Sequence, residues 1–123
     1  MEVRMKIAIT AKGPDLDAEV DPRFGRAAWI IIVNPSSLEF EAIDNSANAN
    51  AFKGAGIQAA TLVHDKGAEA LLTGFCGPNA FKVLESAGVK VANDVTGTVR
   101  QAVAAFNEGR ITFTDRANVE GHW

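Results

Sequence analysis

The sequence predicts an α/β fold: a mixed five-stranded sheet in the order 3-2-1-4-5 with helices on both faces. Three observations predict it. Residues 6–11 and 28–33 are apolar runs of strand length without the regular polar alternation of a wet face, as in strands buried on both sides. Beyond residue 54, amphipathic segments of helical length alternate with short apolar runs, the pattern of strands joined by crossover helices. Eleven Gly and only 7% aromatic residues suit close packing of helices on a sheet. At 123 residues, 47% hydrophobic and 22% charged, the chain has material for one domain and not for two.

The first strand, Lys6-Ile7-Ala8-Ile9-Thr10-Ala11, is stopped by the turn chemistry of Lys12-Gly13-Pro14-Asp15. Residues 18–20 read as a short strand ahead of Asp21-Pro22-Arg23-Phe24-Gly25-Arg26, where proline fixes φ and glycine permits a tight bend. The second strand, 28–33, turns at Asn34-Pro35-Ser36-Ser37 into residues 38–44, which alternate apolar and acidic as an edge strand of an antiparallel hairpin does. Residues 45–54 have no periodicity and read as a long loop. Helical spacing begins at Ala55 and stops at Lys66-Gly67, and residues 68–74 make the fourth strand. Pro78 opens a helix with Ala80, Phe81, Val83, Leu84 and Ala87 on one face, ended by Gly88. Residues 89–92 form the fifth strand, and Val99, Ala102, Val103 and Phe106 mark a third helix. The order is β-β-β-α-β-α-β-α, and right-handed crossovers make strands one, four and five parallel with the first central. Residues 110–123 are a polar tail without an assigned element.

Composition removes several function classes. Twelve Lys+Arg against fifteen Asp+Glu give a net charge of -3, without the overall basic footprint of a duplex-binding protein. No apolar run approaches membrane-spanning length, and the first six residues carry no signal-peptide core, so the expectation is a cytoplasmic protein with neither a membrane nor a nucleic acid as partner. The single Cys76 can form no internal disulfide and no multi-cysteine metal site by itself.

In this topology the strand ends that feed helices lie on one edge, where ligands of open α/β sheets bind. Three glycine-containing turns arrive there: Lys53-Gly54-Ala55-Gly56, Gly74-Phe75-Cys76-Gly77-Pro78-Asn79 and Val95-Thr96-Gly97-Thr98. Each precedes a helix whose first N–H groups and partial positive charge suit an oxyanion or sulfide anion. The turn from Thr10 through Ala11, Lys12 and Gly13 to Asp15 lies beside them, and Lys12, Arg23, Arg26 and Lys53 add charge unless Asp15, Asp17 and Asp21 pair with them. The plain alternative makes the glycines punctuation and the arginines a solvated rim. Gly54-Ala55-Gly56-Ile57-Gln58-Ala59 imitates a dinucleotide fingerprint, but no strand precedes it and no acidic partner follows about twenty residues on. There is no Walker loop, and the central strands lack the carboxylates that the two-metal chemistry of ribonuclease H-like folds requires. Cys76, in a glycine turn at a helix start, has the setting of a lowered thiol pKa, fit for a soft-metal ligand or a reactive thiolate; otherwise it is a small apolar filler. His64 falls late in its helix and reads as structural, while Phe24, Phe52 and Phe75 either wall a pocket or anchor their loops.

Residues 5–10, Val20-Asp21-Pro22-Arg23-Phe24-Gly25-Arg26-Ala27, Gly54-Ala55-Gly56, Leu72-Thr73-Gly74 with Gly77-Pro78-Asn79-Ala80, and Gly97-Thr98-Val99 with Ala102 together resemble the dinitrogenase iron–molybdenum cofactor biosynthesis family in its short single-domain form. The resemblance spans about residues 5 to 109 and implies a ribonuclease H-like α/β domain over 1–109, with 110–123 a tail outside the pattern. It implies non-covalent carriage, not catalysis, of an anionic molybdenum–copper sulfide cluster with sulfur-bridged Mo-Cu-Mo, or alternatively of the iron–molybdenum cofactor or a precursor. The implied surface is residues 10–15, 20–26, 45–56 including Asn45, and 74–79, with Cys76 an open question. A P-loop ATPase of the MinD type is the protein partner that the resemblance suggests.

Overall fold

Strand β1 (Ile7–Ala11) is buried along its whole length because it is flanked on both edges and covered on both faces. The computed structural model describes residues 5–50 and 54–114. On one side β1 pairs antiparallel with β2 (Trp29–Val33), and β2 pairs antiparallel with β3 (Phe40–Asp44). On the other it pairs parallel with β4 (Ala70–Leu72), and β4 with β5 (Lys90–Ala92). The order β3-β2-β1-β4-β5 is the expected one. The helices are α1 (Ser46–Ala49), α2 (Ala55–Asp65), α3 (Pro78–Ser86) and α4 (Val99–Asn107).

The two-residue period of the strands divides the core between the two faces. Ala8, Ile30, Ile32, Leu71 and Val91 meet Ala59, Ala60 and Val63 of α2 and Ala80, Phe81 and Leu84 of α3. Ile7, Ile9, Ile31, Val33, Leu72 and Ala92 meet Val99, Ala102 and Val103 of α4, with Leu16 and Val20 from the loop after β1. The three long helices thus lie on both faces, α2 and α3 on one and α4 on the other.

Four local expectations are corrected. Residues 45–54 are not all loop, because the Asp44 carboxylate accepts the Ser46 N–H at 2.8 Å and starts the single turn of α1. That contact also holds the Asp44 pKa below its ordinary value. Strand β3 begins at Phe40 rather than at residue 38, since Leu38 takes φ 65° inside a turn closed by Asn34. Residues 18–20 form two isolated bridges, Ala11 with Val20 and Glu19 with Thr98, instead of a strand. The start of the tail is structured: Thr114 N–H donates to Val91 O at 2.7 Å, and the Phe113 ring meets Phe106 edge-on at 6.4 Å. Those residues cover the outer edge of β5, which would otherwise present unpaired backbone groups. Residues 115–123 lie outside the described residues.

At the end of β1 the buried Thr10 hydroxyl donates to Asp21 O at 2.6 Å and meets the Thr73 hydroxyl at 2.8 Å, tying β1, β4 and the loop over them. Thr10→Val leaves Asp21 O without that donor, and we expect a loss of about 1–3 kcal/mol in urea unfolding.

Candidate functional site

The segment after Val20 is laid across the sheet edge by backbone pairing. Phe75 N–H donates to Pro22 O at 2.6 Å and Phe24 N–H to Phe75 O at 3.1 Å, a short parallel bridge between the 22–24 and 74–76 segments. The approach is possible because residue 74 lacks a side chain: a methyl group there would stand 2.6 Å from Pro22 Cα. Phe24 is buried among Ala80 and Phe81 of the α2/α3 face and anchors the turn from below. Gly25, at φ +90°, carries the turn over the first residues of α2; a Cβ there would lie 2.8 Å from Gly56 Cα. Gly56 in turn faces Ala80, whose Cβ lies 3.2 Å from where a Gly56 methyl would be. The arginine turn, the start of α2 and the start of α3 therefore converge.

Both of these helices begin open. The N-caps Gly54 and Gly77 supply no side-chain acceptor, and neither first turn holds an acidic residue. The N–H groups of Ala55, Gly56 and Ile57 in α2, and of Asn79 and Ala80 in α3, have no hydrogen-bond partner among the described residues. Pro78, at the first position of α3, brings no N–H. Two positive helix ends thus stand together without an internal anion. Arg23 has its side chain 64% exposed, close to Asp21 at 3.5 Å, and Arg26 Nη1 donates to Ala49 O at 2.7 Å at the end of α1.

The third expected helix start is closed, which corrects the reading of Gly97 and Thr98. Val99 N–H donates to Ala18 O, Arg100 N–H to Leu16 O, and Gln101 N–H to the Thr98 hydroxyl, whose own N–H is taken by the Gln101 side chain. This capping box and the 15–19 loop consume every early donor of α4. Lys12 likewise turns to Glu19 at 3.4 Å, Ala11 packs on the α4 face and Gly13 meets Ala18. Thr10 is buried against Thr73 and exchanges hydrogen bonds with Asp21, so residues 10–13 are engaged beneath the arginine turn and on the α4 side. An open cleft of about 500 Å³ at α4 is lined by Val95 and Thr96 of the third expected turn together with Asn93, Asp94, Gln101 and Arg110, and by no residue of the other expected loops.

Two further corrections concern Asn45 and Cys76. The Asn45 carboxamide is buried and spent on the chain itself, donating to Ala27 O at 2.9 Å and Gly25 O at 3.4 Å and accepting from Asn48. Cys76 sits before its helix as expected, but its side chain packs into the α2/α3 core, and burial pushes the thiol up to about 12 rather than down. Desolvation of a thiolate outweighs the helix end. Among the described residues no cluster of three or more His, Cys, Asp or Glu forms a metal-ligand set. Phe75 is half-buried beside the arginine turn and Asn79 exposed at the start of α3, while His64 is exposed in the last turn of α2. Phe52 and Lys53 lie outside the described residues.

Residues 5–109 match the family model described as dinitrogenase iron–molybdenum cofactor. The chain belongs to this family. It is 44% identical to the orange protein of Desulfovibrio gigas, solved in its apo form, with 97% of this chain and 100% of that one covered and a TM-score of 0.91. A Thermotoga structure described as belonging to the DUF35 family is 38% identical over 95% of this chain and 99% of its own, with a TM-score of 0.81. An uncharacterised Methanocaldococcus jannaschii protein is 30% identical over 110 residues, 87% of this chain and 89% of that protein. The family and fold that the sequence resembles are thereby established. No helix among the described residues is long and apolar enough to cross a membrane.

Gly25→Ala, strained in φ and blocked by Gly56, lowers stability by about 1–3 kcal/mol, whereas Gly77→Ala, at φ -71° with open space for a Cβ, is tolerated; thermal melts of the pair decide. Cys76 reacts with iodoacetamide at pH 8 at least about tenfold more slowly in the native protein than in urea. Equal rates in the two states would contradict its burial. Since the neutral thiol is the form the fold prefers, its contribution to stability is complete below the ordinary value of 9.0 and falls away as pH rises toward about 12.

Proposed function

We propose that this protein is a non-covalent carrier or scaffold for an anionic molybdenum–copper sulfide cluster, or for a related iron–molybdenum cofactor species. The observation that carries the reading is the pair of uncapped helix ends, α2 and α3, meeting a turn with two arginines. Such an arrangement suits an anion already assembled. Backbone N–H groups contact bridging or terminal sulfides as hydrogen-bond donors, the guanidinium groups of Arg23 and Arg26 supply full charge, and no protein ligand has to be exchanged. Phe75 offers a half-buried apolar wall beside the same turn. The buried, protonated Cys76 fits this reading, because a thiolate is not required of it. Family membership and the likeness to the orange protein support a cluster as cargo.

The test is a visible absorption spectrum with Mo, Cu and Fe analysis, on protein purified without chelators and again after adding tetrathiomolybdate and copper. Sulfide-to-metal charge-transfer bands with stoichiometric Mo and Cu are expected. A colourless, metal-free protein under both conditions would overturn the carrier role and turn attention to a cluster-free module that docks a protein partner. Arg23→Glu with Arg26→Glu should weaken cluster uptake by about 1–3 kcal/mol with an unchanged circular dichroism spectrum. Unaltered affinity would leave the two arginines as rim residues only.

A further inference from the structure

The arginine turn has its backbone satisfied by two buried polar side chains of opposite hydrogen-bonding character. From one side the Asp21 carboxylate, 2% exposed as a residue, accepts the Arg23 N–H at 3.1 Å and the Ala28 N–H at 3.4 Å. From the other the Asn45 carboxamide, 1% exposed, donates to Gly25 O and Ala27 O, while its own N–H donates to Ala28 O at 3.0 Å. An acceptor-only group thus takes N–H groups and a donor takes carbonyls, a division that neither residue type could exchange. Asp21 is itself fixed to the end of β1 through Thr10, and Asn45 to the start of α1 through Asn48.

We propose that Asp21 and Asn45 are positioning residues that preorganise the 23–26 turn, so that Arg23 and Arg26 meet an anionic cargo without ordering the turn at the moment of capture. This rests on the carrier reading above. Preorganisation matters because a loop ordered only on binding subtracts its ordering entropy from the affinity.

The experiment uses the full chain, with tetrathiomolybdate and copper as probe. Asn45→Asp is isosteric but replaces a donor facing two carbonyls with an acceptor, and Asp21→Asn is isosteric and removes the charge. Each should weaken probe binding tenfold or more in protein that remains folded by circular dichroism, and speed amide hydrogen exchange at Arg23 and Ala28 in the free protein. The decisive readout is a double-mutant cycle with the uncharged Asn45→Ser, since Asn45→Asp also adds a negative charge that repels the anion in any background: in an Arg23→Gln, Arg26→Gln protein Asn45→Ser should lower the melting temperature as it does in the wild type but cost no further affinity. A loss of affinity of equal size in both backgrounds would overturn the proposal, because a residue of merely general structural importance acts independently of the arginines. Unaltered affinity in the wild-type background, or amide exchange unchanged by either variant, would overturn it too. Should Asn45→Asp not fold, Asn45→Ser, which shortens the donor without introducing repulsion, takes its place in the binding and exchange measurements. Wild-type protein that binds no probe overturns the carrier reading itself, and is thereby distinguished from a wild type that binds and variants that bind equally well.

Discussion

Everything at the functional edge depends on one backbone approach, the seating of the 22–25 segment against Gly74 on one side and Gly56 on the other. Side-chain-free positions on both partners let three pieces of main chain come within van der Waals distance, and the bridge between Arg23 and Phe75 fixes their register. The cost of bringing so much backbone together is that its polar groups lose water, and each must then be matched. Thr10, Thr73, Asp21 and Asn45 are buried polar residues in an otherwise apolar interior, and Thr10, Asp21 and Asn45 spend hydrogen bonds on this segment. Buried polar residues thus gather where the chain needs a fixed, irregular path, while the buried carboxamide atoms of Asn93 lie apart from it, at the α4 cleft.

The three helix starts on this edge show how the same local element is put to two uses. α4 carries a capping box and receives two carbonyls from the 15–19 loop, so its early N–H groups are internal structure. α2 and α3 begin at glycines that provide no side-chain acceptor, and among the described residues their first N–H groups have no partner. Capping would have stabilised either helix by about 1 kcal/mol, and its absence at two adjacent ends, with arginines beside them, is the physical asymmetry on which an anion site rests.

The architecture was legible in the sequence because it rests on features that sequence carries directly. Apolar runs without regular polar alternation at 6–11 and 28–33 marked the central strands, and the connection lengths together with crossover handedness set the order of all five. The same topology made the convergence of the 22–26, 54–56 and 74–79 segments legible. What sequence did not carry was the destination of individual polar groups. Thr98 and Gln101 are a capping box in their spacing, a signal that was present and would have removed Gly97 and Thr98 from the anion site. Asn45 and Cys76 had no such local signal. Their roles are decided by residues 18 to 20 positions away for the amide, and for the thiol by the packing of α2 against α3. The first residues of the tail were opaque for a similar reason, since their pairing partner is Val91, on the edge strand.

A buried thiol next to two open helix ends looks at first like wasted chemistry. The electrostatics say otherwise. A thiolate at Cys76 would place a negative charge behind the very donors that an incoming sulfide anion needs, and would compete with it for the field of α3. Turning the side chain into the core keeps the thiol neutral across ordinary pH and leaves the helix end uncompensated. The same logic applies to the acidic residues nearby: Asp17 is held by Arg100, which keeps its carboxyl pKa low, and Glu19 faces Lys12, both on the α4 side. Asp21 is the one carboxylate placed under the arginine turn, and its oxygens are engaged by the backbone N–H groups of that turn. Asp21 also lies 3.5 Å from the Arg23 guanidinium, so the negative charge of Asp17, Glu19 and Asp21 is met by a cation or by main chain, and the α2 and α3 ends carry no acidic residue in their first turns.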